Sequence, residues 1–503
     1  MSISIVHTRA QLGIDAPRVT VETHISNGLP SLTMVGLPEM AVRESKERVR
    51  SALINSGFEF PSRRVTINLA PADLPKQGGR YDLAIAVGIL LATGQLEGTD
   101  AGSCEFVGEL ALTGELRPVP SILSSAIACR KQGRTLFIAQ ENREEAGLAQ
   151  GAEIYGASSI NELCQHLKGI SKLDPVSIDL TNHYSSNSAD LSDVIGQFQA
   201  RRALEVAAAG RHNLLFYGPP GTGKSMLASR LPSILPALDR DQVVDVASIY
   251  SLAGLKREFT ELFSTPFRAP HHTASQVSLV GGGSNPKPGE ISLAHLGILF
   301  LDELPEFGRS VLEVLREPIE SREIRISRAQ SSVTFPANFQ LLAAMNPCPC
   351  GYSGHPKIAC TDTPQQISQY RRKLSGPLLD RFDLHVEVAS QPGSVLLSKA
   401  APTESSASVY KRVALAREIQ LTRQQKLNNE LSPDELLTFC ALEPETQGLL
   451  ETAMDKLALS ARGAHRVIRV ARTQADLQNV EQITISHITE ALAYRGLDRQ
   501  PGV

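Results

Sequence analysis

The spacing of apolar side chains divides the chain into stretches of different character. Residues 64–70, RVTINLA, alternate apolar and polar positions as a half-buried strand does, while residues 40–57, MAVRESKERVRSALINSG, repeat them at helical spacing. Mixed signals of this kind run through residues 1–172 and predict an α/β domain. Residues 173–192 are rich in Ser, Asn and Asp and poor in large apolar groups, which is linker composition. Over 193–392 a helical pattern, QFQARRALEVAAAG, opens an alternation of apolar strand runs and helices, the order of a parallel sheet flanked by helices. After QPGS, residues 391–394, the pattern is nearly all helical, so 393–503 is expected to form a terminal helical domain. One short segment departs from its surroundings. Ile324 and Ile326 alternate with Arg325 and Ser327, and Val333 and Phe335 flank Thr334, a pattern that predicts a two-stranded ribbon with one apolar and one basic face.

Composition adds limits. A chain of 503 residues has room for about three domains with cores of their own. The formal charge of −3 means that a nucleic-acid partner must be met by local basic patches, not by a global field. The longest apolar run, residues 83–93, is too short to span a bilayer, and the first residues lack a basic segment ahead of an apolar core. The expectation is a soluble cytoplasmic protein with no membrane partner. Of seven cysteines, Cys104, Cys129, Cys164 and Cys440 are scattered, while Cys348, Cys350 and Cys360 cluster, which is not a disulfide framework.

The candidate chemistry lies in the middle stretch. GPPGTGKS comprises Gly218, Pro219, Pro220, Gly221, Thr222, Gly223, Lys224 and Ser225; it follows the apolar run 214–217 and precedes a helical pattern, the setting of a phosphate-binding loop. Gly221 and Gly223 let backbone N–H groups curl around phosphates, Lys224 reaches the terminal phosphates of ATP, and Ser225 ligates Mg²⁺. A second apolar run, 298–301, delivers Asp302, suited to orient Mg²⁺, and Glu303, suited to polarise an attacking water. A third, 340–345, ends in Asn346, a neutral group fit to bond the γ-phosphate or that water. CPCGYSGHPKIAC, residues 348–360, spaces Cys348, Cys350, His355 and Cys360 as zinc ligands can be spaced, although free thiols suit the same pattern.

These motifs, joined by RAPHHTASQVSLVGGG (268–283), PKPGEISLAH (286–295) and LSGPLLDRFDL (374–384), resemble the AAA+ ATPases related to magnesium-chelatase subunit I. The segments GLPEMAVRESKERVRSALINSG (36–57) and LPKQGGRYDLAIA (74–86) narrow the resemblance to the bacterial ComM/YifB family, over residues 1 to about 495. The resemblance implies an α/β chain with a Lon-protease-like N-terminal domain, an AAA+ parallel-sheet P-loop core and a C-terminal helical lid. It implies that Arg381 is an arginine finger offered to a neighbouring subunit's γ-phosphate, and that Arg462 is the second-sensor arginine, with Arg466 one turn on as the other candidate. Some members of the family are described as hexameric DNA helicases that promote branch migration during natural transformation. The implied function is therefore that of an ATP-dependent hexameric translocase acting on single-stranded or branched DNA. In such a ring Arg325 and Arg328 on the ribbon, and Lys287 on a second insertion, would meet backbone phosphates. The other reading is a chelatase-type AAA+ ATPase that remodels a protein partner. The family carries a fourth cysteine where this chain has Asp362, which leaves the fourth ligand open between His355 and Asp362, or removes the metal. In the Lon-like segments, residues 76–90 contain no serine and the stretch after RPVP offers LSSA, residues 123–126, with no lysine. The nucleophile and partner that proteolysis needs in their local settings are missing, so the first domain is expected to be a non-proteolytic scaffold.

Overall fold

A computed structural model describes residues 2–36, 39–96, 101–178, 189–283, 286–327, 332–392 and 403–499. The fold comprises two compact units whose division does not follow the chain. The first takes Met1–His183, Arg240–Leu262 and Ala329–Val333; the second takes Tyr184–Asp239, Phe263–Arg328 and Thr334–Val503.

In the first unit, strands β1 (Ser2–Arg9), β2 (Arg18–Ser26), β3 (Ser31–Val35), β4 (Arg64–Ala70), β5 (Cys104–Val107), β6 (Thr135–Ala139) and β7 (Ile154–Ala157) form one mixed sheet in the order β3-β4-β2-β1-β5-β6-β7. The β1/β2 and β2/β4 pairs are antiparallel and the remainder parallel. The period of two read in 64–70 is realised in β4, where Val65, Ile67 and Leu69 are buried. Helix α1 is Met40–Asn55, and helix α2, Asp82–Ala92, holds the longest apolar run and is buried along nearly its whole length. That run is a core helix: among the described residues no helix is long and apolar enough to cross a membrane. Before α2 the buried Lys76 donates from Nζ to the carbonyls of Gly36 (3.1 Å), Leu74 (2.9 Å) and Pro71. Residues 240–262 belong here through helix Arg240–Ala253, which packs on helix α3 (Ile122–Lys131) and bonds Glu145 through Ser251 Oγ. Sequence spacing had assigned that helix to the ATPase core.

In the second unit, β8 (Leu214–Tyr217), β9 (Phe267–Arg268), β10 (Ile298–Leu301), β13 (Gln340–Met345) and β14 (Leu384–Glu387) form a wholly parallel sheet in the order β9-β10-β13-β8-β14. Between β10 and β13 in the chain, β11 (Glu323–Ser327) and β12 (Ser332–Pro336) pair as a separate ribbon. Every residue of β10 and β13 is buried, as expected of parallel strands covered on both faces. Helix α4 (Phe198–Gly210) supplies Ala203, Leu204 and Ala207 to the core around β8. Helices α5 (Ser406–Gln424), α6 (Pro444–Leu457), α7 (Ala461–Leu477) and α8 (Ile485–Ala493) join that same core through residues such as Val413, Leu450, Val470 and Ile488. Among the described residues, the C-terminal helices share the core of the parallel sheet.

Candidate active site

Because the second sheet is parallel, β8, β13 and β10 lie side by side and release their chains at the same edge. The loop 218–223 leaves β8, Asn346 leaves β13, and Asp302 with Glu303 leaves β10, so three distant sequence segments converge. The glycines permit this. Gly218 has φ +156° and a Cβ there would stand 2.3 Å from the carbonyl oxygen of Val388, and Gly223, φ +89°, caps the helix that Lys224 begins. Pro219 accepts through its carbonyl from Thr222 Oγ1 at 3.0 Å, which closes the loop on itself.

Lys224 is buried and donates from Nζ to the carbonyls of Gly218 and Pro219, both at 2.8 Å, and to Asn346 Oδ1 at 3.1 Å. Burial pushes its ammonium down to about 8, against the attraction of Asp302 and Glu303. Ser225 Oγ donates to Asp302 Oδ2 at 2.5 Å, and the N–H of Glu303 donates to Asp302 Oδ1 at 2.9 Å. A hydroxyl and a carboxylate side by side beside a phosphate loop are the donor set that Mg²⁺ takes together with phosphate oxygens. The end of the sheet thus gathers an ammonium on a glycine-bounded loop, a hydroxyl beside a carboxylate, and a second carboxylate.

Glu303 has a partner that sequence reasoning missed. Its Oε2 lies 3.1 Å from His272 Nδ1, and the His272 ring lies against that of His271, centroids 4.1 Å apart and planes tilted by 34°. Glu303 itself has φ +52°, in the left-handed region where a side chain of this size is uncommon. His272 therefore fixes the carboxylate to the segment that follows β9. Only the pairing of β9 with β10 could have revealed it.

The arginines lie elsewhere. The carbonyl of Arg381 accepts from Asn213 Nδ2 at 3.0 Å, and Asn213 precedes β8, so Arg381 sits at the start of the strand whose end carries the phosphate loop. A strand of four residues puts about 13 Å between those ends. The guanidinium bonds Glu320 at 3.0 Å and the carbonyl of Pro377 at 2.6 Å. Arg462 approaches the same Glu320 at 3.7 Å and Asp380 at 3.9 Å, with 58% of its side chain exposed. Arg466 is more tightly held, by Asp380 at 2.9 Å and Asp383 at 3.3 Å. All three line one cavity of about 490 Å³, and they gather at the opposite edge of the sheet from the chain's own phosphate loop.

On the ribbon, Ile324, Ile326, Val333 and Phe335 are buried while Arg325 leaves 64% of its side chain in solvent, touching Glu323 at 3.6 Å. Arg328 lies outside the described residues. Lys287 is exposed on a small antiparallel pair, Gly281–Gly282 with Lys287–Pro288.

Near Asn346, the sulfurs of Cys348, Cys350 and Cys360 gather with a carboxylate oxygen of Asp362, all four donor atoms lying within 4.8 Å of one another. His355 is not in this group, contrary to the spacing read in the sequence. Its Nδ1 accepts from the N–H groups of Lys357 (3.1 Å) and Ile358 (2.9 Å), and its ring meets Tyr352 edge-on. The turn that carries His355 is closed by the ring nitrogen itself, and Asp362, two residues past Cys360, takes the fourth place.

Comparison with known proteins returns one family along the chain. Residues 190–396 match the family described as magnesium chelatase, subunit ChlI; residues 21–142 match subunit ChlI of Mg-chelatase; and residues 403–495 match the C-terminal region of subunit ChlI. The chain is 51% identical to the uncharacterized protein YifB of Salmonella typhimurium over 500 residues, which cover 99% of this chain and 98% of the relative. It is 50% identical to the competence protein ComM of Haemophilus influenzae over 506 residues, again 99% and 98% of the two chains. With the magnesium-chelatase 38 kDa subunit of Cereibacter sphaeroides it shares 26% identity over 340 residues, 62% of this chain and 92% of that protein.

Proposed function

The chain belongs to the magnesium chelatase subunit ChlI family of AAA+ ATPases, and on that premise we propose that it is an ATP-driven motor that moves DNA. Residues 218–225 would hold ATP, with Lys224 on its terminal phosphates, and Ser225 and Asp302 would hold Mg²⁺, which would neutralise phosphate charge. Glu303 activates the attacking water and Asn346 orients it. The observation that carries the assembly is the arginine cluster: Arg381 and Arg462 gather at the far edge of the sheet from their own phosphate loop. In a hexameric ring a neighbouring subunit brings its phosphate loop to that edge. Arg381 then stabilises the charge that develops during phosphoryl transfer in the adjoining site. Thiolate ligands favour Zn²⁺ at the cysteine cluster.

DNA is the substrate we infer, in single-stranded or branched form, with branch migration during uptake of foreign DNA as the cellular task in the cytoplasm. The near full-length identity to a competence protein supports this, as does a ribbon that buries one face and holds Arg325 in solvent. Arg325, Arg328 and Lys287 contact backbone phosphates without reading sequence. The first unit acts as a scaffold, since the nitrogen of Lys76 is spent on main-chain carbonyls and not on a serine. The family match also favours a second reading, remodelling of a protein partner as in a chelatase. The two separate in one experiment. Replacing Arg325 and Arg328 by Ala removes stimulation of ATP turnover by DNA and leaves oligomer formation intact; stimulation equal to wild type refutes the DNA contact, and a wild type indifferent to DNA favours the chelatase reading.

A further inference from the structure

We infer that Cys348, Cys350, Cys360 and Asp362 hold one zinc ion, and that this ion braces the nucleotide site. The three sulfurs stand 3.4, 3.6 and 3.4 Å apart, too far for any disulfide, whose sulfurs are about 2.05 Å apart. Four ligands placed tetrahedrally about 2.3 Å from a zinc ion stand about 3.8 Å from one another, close to the spacing seen. The outer contacts favour anionic ligands: the N–H of Ser353 donates to Cys348 Sγ at 3.3 Å, and the N–H of Cys350 donates to Asp362 Oδ2 at 2.7 Å. Three thiolates and one carboxylate select zinc over the hard cations Mg²⁺ and Ca²⁺.

The surrounding loop explains what the ion does. From Asn346 to the helix Pro364–Arg371 the chain forms no helix or strand, and Ile358 leaves 46% of its surface in solvent. So little buried apolar surface does not hold a loop of this length in one conformation; a metal does. The loop nevertheless touches the nucleotide site twice. It begins at Asn346, which accepts from Lys224 Nζ two residues before Cys348. Gly351, directly after Cys350, has φ +86° and runs so close to the phosphate loop that a Cβ there would lie 2.7 Å from Pro220 Cδ. Fixing Cys348 and Cys350 on one ion therefore fixes Asn346 against Lys224 and the main chain at 351 against Pro220. Loss of the ion frees both and weakens ATP binding. This second half rests on residues 218–225 being an ATP site; the metal site itself does not.

Full-length protein purified without chelators carries about one zinc per chain by mass spectrometry of its elements. Cys360→Ser loses the zinc, and its affinity for a fluorescent ATP analogue falls about tenfold or more, while circular dichroism shows a cooperative melt. Should that variant fail to fold, Asp362→Ala and Asp362→Cys carry the test. Against EDTA the first releases zinc about tenfold faster than wild type, and the second, with four thiolates, releases it more slowly. Wild-type protein with less than about a tenth of a zinc per chain overturns the site. A zinc-free chain that binds the analogue as tightly as the loaded one overturns the brace. Loaded wild type that binds no ATP analogue overturns the nucleotide reading and the brace with it, and leaves the metal count standing.

Discussion

Each unit buries a lysine, and the two teach different things. Lys76 is fully buried and Lys224 is 8% exposed; both place Nζ on main-chain carbonyls, and burial lowers the pKa of both. Lys76 has spent its donors on Gly36, Pro71 and Leu74, three carbonyls of neighbouring turns, so its charge ties the chain together. Lys224 has a movable partner, the amide of Asn346, and beside it stand exposed Ser225 and the carboxylates of Asp302 and Glu303. The acceptors on Lys224 are ones that an anionic ligand can replace. Burial of an ammonium does not by itself mark a site; what marks it is a partner set that a ligand can replace.

Substitutions that treat the two lysines alike sharpen this contrast. Lys224→Ala lowers ATP turnover by about 10³-fold or more, and the melting temperature stays close to wild type. Next in size is the arginine at the far edge. Arg381→Ala also costs about 10³-fold, but mixing it with Lys224→Ala restores part of the activity, because a chain with an intact Arg381 then adjoins a chain with an intact phosphate loop. No recovery on mixing contradicts action across a subunit boundary. Lys76→Ala leaves three carbonyls without their donor and destabilises the first unit by roughly 3 kcal/mol, read in urea titrations, while ATP affinity of the folded protein is retained. An equal loss of ATP affinity in both lysine variants would erase the distinction.

The smallest effect is one of pH. Below about 8 Lys224 is already charged when ATP arrives; above it, binding must take up a proton. ATP affinity is therefore flat up to about pH 8 and then falls by about tenfold per unit, until the pKa of the bound state is passed. The sign for folding is the reverse. The folded value lies below the ordinary 10.5, so the unfolded chain binds more protons between the two, and this group adds stability as pH rises through that window. Isothermal titration across pH 7 to about 10 reads the first effect directly.

Much of the site was legible because its chemistry is local. Gly218 to Ser225 sit within one turn of chain, and Asp302, Glu303 and Asn346 each follow an unbroken apolar run, so a parallel sheet is enough to unite them. The ribbon was legible for the same reason: its period of two is complete in Ile324, Ile326, Val333 and Phe335. What sequence could not give depends on how separate segments turn toward each other. His272 meets Glu303 only because β9 lies beside β10. Asp362 and not His355 completes the cysteine cluster because the His355 ring closes its own turn. Glu320, which draws Arg381 and Arg462 together, lies more than fifty residues from either and carries no motif. Helix Arg240–Ala253 has an ordinary amphipathic pattern that does not say which core it serves.

If ATP turnover in this chain moves DNA, a labelled four-way DNA junction followed with Mg-ATP and purified protein shows it. Wild type then resolves the junction into its duplex products, Lys224→Ala does not, and junction DNA raises the wild-type rate of ATP hydrolysis. Wild-type protein that hydrolyses ATP at one rate with or without junction DNA, and leaves the junction unmoved, contradicts it.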